Sequence, residues 1–262
     1  MSTVERTEVA YEVGRLGVRL NSTDGPRQVL REISFDVAAG EIVGIVGRSG
    51  VGKTTLLRVL GGLLAPSSGT VILGDQAVHG PPADVVVVFQ DYDNALLPWR
   101  TVERNVALGL ESTLPRRERR ARVEWALRLV GLEGRGGEYP RRLSGGMAQR
   151  VQIARALAVR PTVLLMDEPF GALDALTKSA LQDVLLNIHG ETRTTIVFIT
   201  HDLDEAIYLS DRVLVLAGAP GTITEALPTG LPRPRDQLAT RELPGYLRVR
   251  HQLGEALRAD HG

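Results

Sequence analysis

The chain has no cysteine, no formal net charge and almost no lysine. Without cysteine there is no disulfide, thiolate metal site or cysteine nucleophile to consider, and the composition fits a reducing compartment. The 31 basic and 31 acidic residues cancel, so no overall field draws the protein to anionic lipid or nucleic acid, and nucleic acid is not expected as a partner. No apolar run approaches the roughly 18 to 20 residues that cross a bilayer, and the acid-bearing start MSTVERTEVAYEV does not read as a secretory signal. Any membrane role is expected to go through a partner. Only Lys53 and Lys178 are lysines, against 29 arginines, so each retained lysine calls for a reason.

What is present is ordinary globular material. The 262 residues are 43% hydrophobic and 24% charged, enough for one large domain or two small ones. Short β-branched runs at 41–47, 85–89, 163–167, 195–200 and 212–216 are continuously apolar, which suggests strands of a parallel sheet covered on both faces. Helical patterns fall between them at 53–64, 118–130, 147–159, 175–189 and 204–210, so the fold class is α/β with right-handed crossovers. Residues 91–143 have no strand-like run and are rich in arginine and helix formers, which reads as a helical insertion. After Ala217 the chain turns rich in proline and glycine, which excludes helix interiors and central strands there. A last helix over 243–259 would place Leu243, Leu247, Leu253 and Leu257 near one face, packed back on its own domain or against a partner.

Five short stretches hold the chemistry. Gly47-Arg48-Ser49-Gly50-Val51-Gly52-Lys53-Thr54, followed by Thr55, matches G-x-x-x-x-G-K-[ST] directly after a strand and at the opening of a helix. Glycines there let the backbone approach phosphates closely, Lys53 reaches the β and γ oxygens of a nucleotide, and the Thr54 hydroxyl ligates Mg²⁺. The run VLLMDE ends in Asp167, a candidate Mg²⁺ ligand, and Glu168, a candidate general base for an attacking water. Gln90 and His201 each follow a strand and could meet the same γ-phosphate. Ser144, Gly145 and Gly146 open a helix with no lysine nearby, a ready anion seat that raises the question of whose anion it binds.

Together, GRSGVGKTT, Gln90, LSGGM, VLLMDEPFGALD and ITHD resemble, in order and spacing, the ATP-binding-cassette ATPases over roughly residues 12–217. The resemblance implies a P-loop NTPase core with a parallel-rich sheet, an N-terminal antiparallel β part and an inserted helical subdomain. It divides the chain into 1–90, the β part and P-loop half; 91–160, the helical subdomain with the signature; 161–217, the second half of the core; and 218–262, a C-terminal extension. It further implies ATP and Mg²⁺ as ligands, with Thr54, Gln90 and Asp167 around the metal, Glu168, His201 and Gln90 at the reaction, and two subunits meeting head to tail. Ser144, Gly145 and Gly146 would then complete the partner's site, and Asp174 would communicate between the two sites.

Two departures accompany it. Met147 stands where the signature has glutamine more often. The aromatic residue that the family stacks on adenine has no counterpart, because Leu20 lies near that place and Tyr11 comes too early, so weaker base selectivity is expected.

One cassette without a membrane span resembles an importer subunit, and NALLPWRTVERNVALGLE at 94–111, with DEPFGALDALT and the late LPRPRD, is similar to the nitrate/sulfonate/taurine class. That implies a transmembrane permease, an extracytoplasmic solute-binding protein acting indirectly, and a peripheral position at the cytoplasmic face of the cell membrane. Leu96, Leu97 and Trp99 read equally as helical core or permease contact. The alternative is a soluble ABC ATPase working as a mechanical switch, against which stands the short insertion between Gln90 and Ser144.

Overall fold

The computed structural model describes residues 8–22, 25–90, 95–171 and 173–259. Asn94, at the start of the importer-like stretch, and Ala172, within DEPFGALD, lie outside the described residues. In chain order the elements are β1 (Val9–Ser22), β2 (Gly25–Ala38), β3 (Ile42–Val46), α1 (Lys53–Leu60), β4 (Ser68–Leu73), β5 (Gln76–Ala77), β6 (Val85–Val88), α2 (Val102–Val106), α3 (Arg116–Leu129), α4 (Gly145–Ala158), β7 (Val163–Asp167), α5 (Ala175–Thr192), β8 (Thr195–Thr200), α6 (Leu203–Leu209), β9 (Arg212–Ala217), β10 (Thr222–Pro228), α7 (Ala239–Glu242) and α8 (Pro244–Ala259). They form two compact units, one made of the residues up to Pro82 and from Arg193, the other of Ala83–Thr192.

In the first unit β3 lies between β8 and β9 and pairs in parallel with both. Every residue of β3 and β8 is buried, which is why these runs are continuously apolar. β10 pairs antiparallel with β9 and ends its sheet, so the Pro/Gly-rich tail supplies an edge strand, the place where proline is tolerated. A second, antiparallel sheet runs β2-β1-β4-β5. Gly221, at the start of the β10 hairpin, ties to β2 by accepting from Arg31 N (3.0 Å) and donating to Val29 O (2.8 Å).

The last helix packs differently from the leucine stripe expected of it. Tyr246, Val249 and Leu253 are buried, whereas Leu247 is 54% exposed and Leu243 precedes the helix. The face is set by an i, i+3, i+7 row that includes a tyrosine, whose burial is made tolerable by a hydrogen-bonded hydroxyl.

In the second unit β6 and β7 pair in parallel, and α4 packs on α2, α3, α5 and β6. Among the described residues, 95–143 contain helices and turns and no strand. The importer-like wording has a local physical meaning there. Buried Asn105 accepts from Leu97 N (2.8 Å), and its amide nitrogen lies 3.1 Å from the carbonyls of Leu97, Arg100 and Thr101, fixing the turn that leads into α2. Thr101 caps α2 by accepting from Arg104 N. Leu96 is core, Leu97 is half-buried and Trp99 is 71% exposed, so one stretch holds both environments.

Candidate active site

The first unit brings the P-loop and His201 to one end of neighbouring strands. Val46 pairs with Thr200, so the residues that follow, Gly47 and His201, leave the same carboxyl ends. Gly52 caps α1 at φ 111°, a conformation that a side chain disfavours, and a Cβ on it would also meet Leu30 Cδ2 at 2.7 Å. A Cβ on Gly47 would run into the carbonyl oxygen of Leu216. α1 opens without a side-chain cap and without an acid in its first turn, leaving its positive end for an anion. Lys53 folds back into the loop, 6% exposed, and its Nζ donates to the carbonyls of Gly47 (2.7 Å) and Arg48 (2.9 Å). Thr54 and Thr55 are half-buried beside it. His201 is exposed, and the chain then enters α6, capped by Asp202, which accepts from Asp204 N (2.9 Å) and Glu205 N (3.2 Å).

The second unit repeats the device. Val88 pairs with Met166, and continuing that parallel register sets Gln90 beside Glu168, where Gln90 Nε2 donates to Glu168 Oε2 at 3.3 Å. Asp167 ends β7 and is 6% exposed, whereas Glu168 is half-buried. Glu168 has φ 46°, which for a residue with a Cβ costs roughly 1–2 kcal/mol. The turn that follows is held by Gly171 N donating to Glu168 O at 3.2 Å. A carboxylate kept in a strained turn at a strand end is the pattern expected of a positioned reactive group.

Ser144 caps α4 by accepting from Met147 N at 3.3 Å, which leaves its O–H able to donate to something else. Gly145 is exposed, and a Cβ there would meet nothing within 4 Å. Gly146 is buried, and a Cβ there would collide with the Thr177 methyl of α5. Thr177 N and Leu176 N each donate to Asp174 Oδ1 at 3.1 Å, so Asp174 stands at the head of α5. The Thr177 side chain, followed by the amides of Thr177 and Leu176, holds the Asp174 carboxyl below its ordinary range. Thr177 thus touches both Gly146 and Asp174. Its only trace in the sequence is the D-x-x-T spacing of a helix start.

Tyr11 is fully buried and donates its hydroxyl to Leu60 O at 2.8 Å, so it is a core residue, and Leu20 is a half-buried strand residue paired with Arg27. The donors assigned to a divalent ion are a hydroxyl, an amide oxygen and one carboxylate, hard oxygen atoms of the kind Mg²⁺ takes. Among the described residues no group of three or more His, Cys, Asp or Glu forms a metal cage, and Mg²⁺ held by one carboxylate with phosphates and water needs none. These donor types suit the ion.

A family model described as ABC transporter matches residues 30–171. The nitrate import ATP-binding protein NrtD of Synechococcus elongatus is 46% identical over 230 residues, 86% of this chain and 83% of that protein. NrtC of the same organism is 48% identical over 228 residues, 86% of this chain, but the match spans only 34% of NrtC's own length. Among solved structures, the dimeric post-hydrolysis state of the ATP-binding cassette MJ0796 bound to ADP and Pi is 29% identical with a TM-score of 0.72, covering 83% of this chain and 98% of that one. The cbiO1 structure from Clostridium perfringens, part of the ABC transporter complex cbiONQ, is 29% identical with a TM-score of 0.78, covering 97% and 98%. With a P-loop at one parallel strand end and a glutamine–glutamate pair at another, this chain belongs to the ABC transporter family as an ATP hydrolase on the P-loop cassette fold.

Proposed function

We propose that the chain is the ATP-binding and hydrolysing subunit of an importer, in which two copies meet head to tail around two MgATP and drive a separate permease. The observation that carries the catalytic part is the Gln90–Glu168 contact at the ends of β6 and β7. In this reading Lys53 and the 47–54 backbone hold the β- and γ-phosphates, and His201 contacts the γ-phosphate. The Glu168 carboxylate orients the attacking water and accepts its proton, with Gln90 steering that carboxylate. Thr54, Gln90 and Asp167 would hold Mg²⁺, which when bound supplies neutralising charge to the phosphates. Ser144, Gly145 and Gly146 complete the site around the γ-phosphate held by the partner's P-loop, and Asp174 links the two sites.

Likeness to proteins of nitrate import supports an anionic cargo. In this reading an extracytoplasmic solute-binding protein delivers it to the permease, and this subunit does not itself contact it. Among the described residues no helix is long and apolar enough to cross a membrane. In this reading the permease is a separate chain or domain, and this part sits peripherally at the cytoplasmic face. A cavity of about 450 Å³ in the second unit, lined by Val87, Phe89, Leu108, Val159 and Arg155, supports a seat for a permease segment next to Gln90. Phe89 and Leu108 are 40% and 37% exposed there.

The test is to purify the tagged protein from its native membranes in mild detergent and identify the co-purifying chains by mass spectrometry. A polytopic permease is expected. Recovery from the cytosol with no membrane chain would instead favour a soluble mechanical switch.

A further inference from the structure

The LPRPRD stretch and the two helices after it take no part in the chemistry above, yet their charged and aromatic side chains converge on one short helix. α6 begins two residues after His201. The two neighbours of His201 are both tied to the first turn of α6, since Thr200 donates its hydroxyl to the Glu205 carboxylate and Asp202 caps Asp204 N and Glu205 N. Asp202 N also donates to Thr200 Oγ1 at 3.0 Å, closing the turn around His201. Any displacement of α6 therefore moves the backbone that carries the imidazole.

α6 is gripped from the C-terminal segment at both ends. At its start, Tyr246 donates its hydroxyl to Asp204 Oδ1 at 2.8 Å and Arg250 Nε donates to the same oxygen at 2.9 Å. At its end, Arg235 donates to Tyr208 O (2.6 Å) and Ser210 O (2.8 Å). Arg241 stacks on the Tyr208 ring with its guanidinium carbon 5.4 Å from the centroid. Tyr246 is 1% exposed and the Arg235 side chain 1% exposed, so each end of α6 has a buried anchor, and the Arg250–Asp204 pair lies at the surface beside the first. Burial pulls the Arg235 guanidinium down to about 10, which still leaves it charged at neutral pH and able to hold the carbonyls at the end of α6.

We propose that the C-terminal segment, residues 231–258, is a clamp that positions His201, with Tyr246, Arg250 and Arg235 acting as positioning residues through Asp204 and the ends of α6. The proposal rests on the reading that His201 contacts the γ-phosphate. A helix end free to shift by a fraction of an ångström would misplace a contact needed in the transition state while leaving nucleotide binding by the P-loop intact.

The experiment compares full-length Tyr246→Phe, Arg250→Gln, the double variant, Arg250→Lys and His201→Ala. It measures steady-state ATP hydrolysis, thermal unfolding, and the His ring signals in ¹H–¹⁵N spectra of histidine-labelled protein, with the His201 signal assigned by its loss in His201→Ala. The double variant is expected to lower kcat about tenfold with KM for ATP within about twofold and to shift the His201 ring signals, and Arg250→Lys is expected to recover part of the rate. A merely structural role would lower the unfolding temperature without that kcat–KM split or ring shift, and that result overturns the proposal. If His201→Ala slows hydrolysis while the clamp variants keep wild-type kcat and ring signals, the clamp falls and the reading of His201 stands. Unchanged kcat in His201→Ala removes the reading of His201, and the clamp with it. Should the double variant unfold at the assay temperature, Arg250→Gln, whose side chain is 56% exposed, decides alone on the same readouts.

Discussion

Exchanging Glu168 for glutamine preserves the side chain's size and its place beside Gln90 but removes the group that can accept a proton. Turnover of Glu168→Gln should fall by about 10²–10⁴, the scale of losing a positioned general base, with nucleotide affinity retained. Phosphate release at saturating ATP alongside fluorescent-nucleotide binding measures both, and near wild-type turnover would take the base role from Glu168. The two signature glycines part company in the same way. Gly146→Ala drives a methyl into Thr177, an overpacking that costs about 1–3 kcal/mol and should appear as a lower unfolding temperature. Gly145→Ala meets nothing within the chain and, as a helix substitution, should leave stability equal or raised by up to about 1 kcal/mol. Its hydrolysis should nevertheless drop, because the open space there is where the partner's phosphate would sit. Hydrolysis that survives Gly145→Ala would place that phosphate elsewhere.

At the level of elements, Asp174 works as the head of α5, and its charge has a pH signature. Its carboxyl is held below the ordinary 3.8 in the folded chain, so its contribution to stability is present above the unfolded value and is lost as pH falls through the lowered folded one. Asparagine can still accept the two amides, so Asp174→Asn should keep the cap and flatten the acid limb of a plot of unfolding temperature against pH. Parallel acid limbs for the two proteins would mean that the charge does not couple to folding. Elements buried on both faces, β3, β7, β8 and β9, were legible in the sequence because continuous apolar runs have few other readings. β1 and β2 have no such run. β1 buries Tyr11 and Val13, then Leu16 and Val18, because register shifts around Arg15 move the inward face by one residue and erase the two-residue period. Glu32 at φ 48° marks a similar irregularity in β2. The buried face of α8 departs from the leucine stripe because its anchor is a tyrosine whose partner, Asp204, is far away in sequence. The candidate site residues stand out in the sequence as motifs, but the Gln90–Glu168 contact follows from strand register, which no motif contains.

For the whole molecule, the P-loop and the signature are halves of different sites if the head-to-tail reading holds. Each copy then carries one P-loop and one signature, and a lesion in either damages a different composite site. Lys53→Ala removes the ammonium from the P-loop and leaves α4 intact, whereas Ser144→Arg fills the mouth of α4 and leaves the P-loop intact. Alone, each variant forms only pairs in which every site contains one damaged half. Mixed, half of one copy and half of the other assemble one undamaged site in each mixed pair. Equimolar mixing of the two purified variants should therefore restore hydrolysis that neither shows alone, and the restored rate should rise with total protein concentration as mixed pairs form. If the mixture stays as inactive as its components while wild-type protein under the same conditions hydrolyses ATP, the signature does not act across the subunits, and Ser144 would have to serve the nucleotide of its own chain.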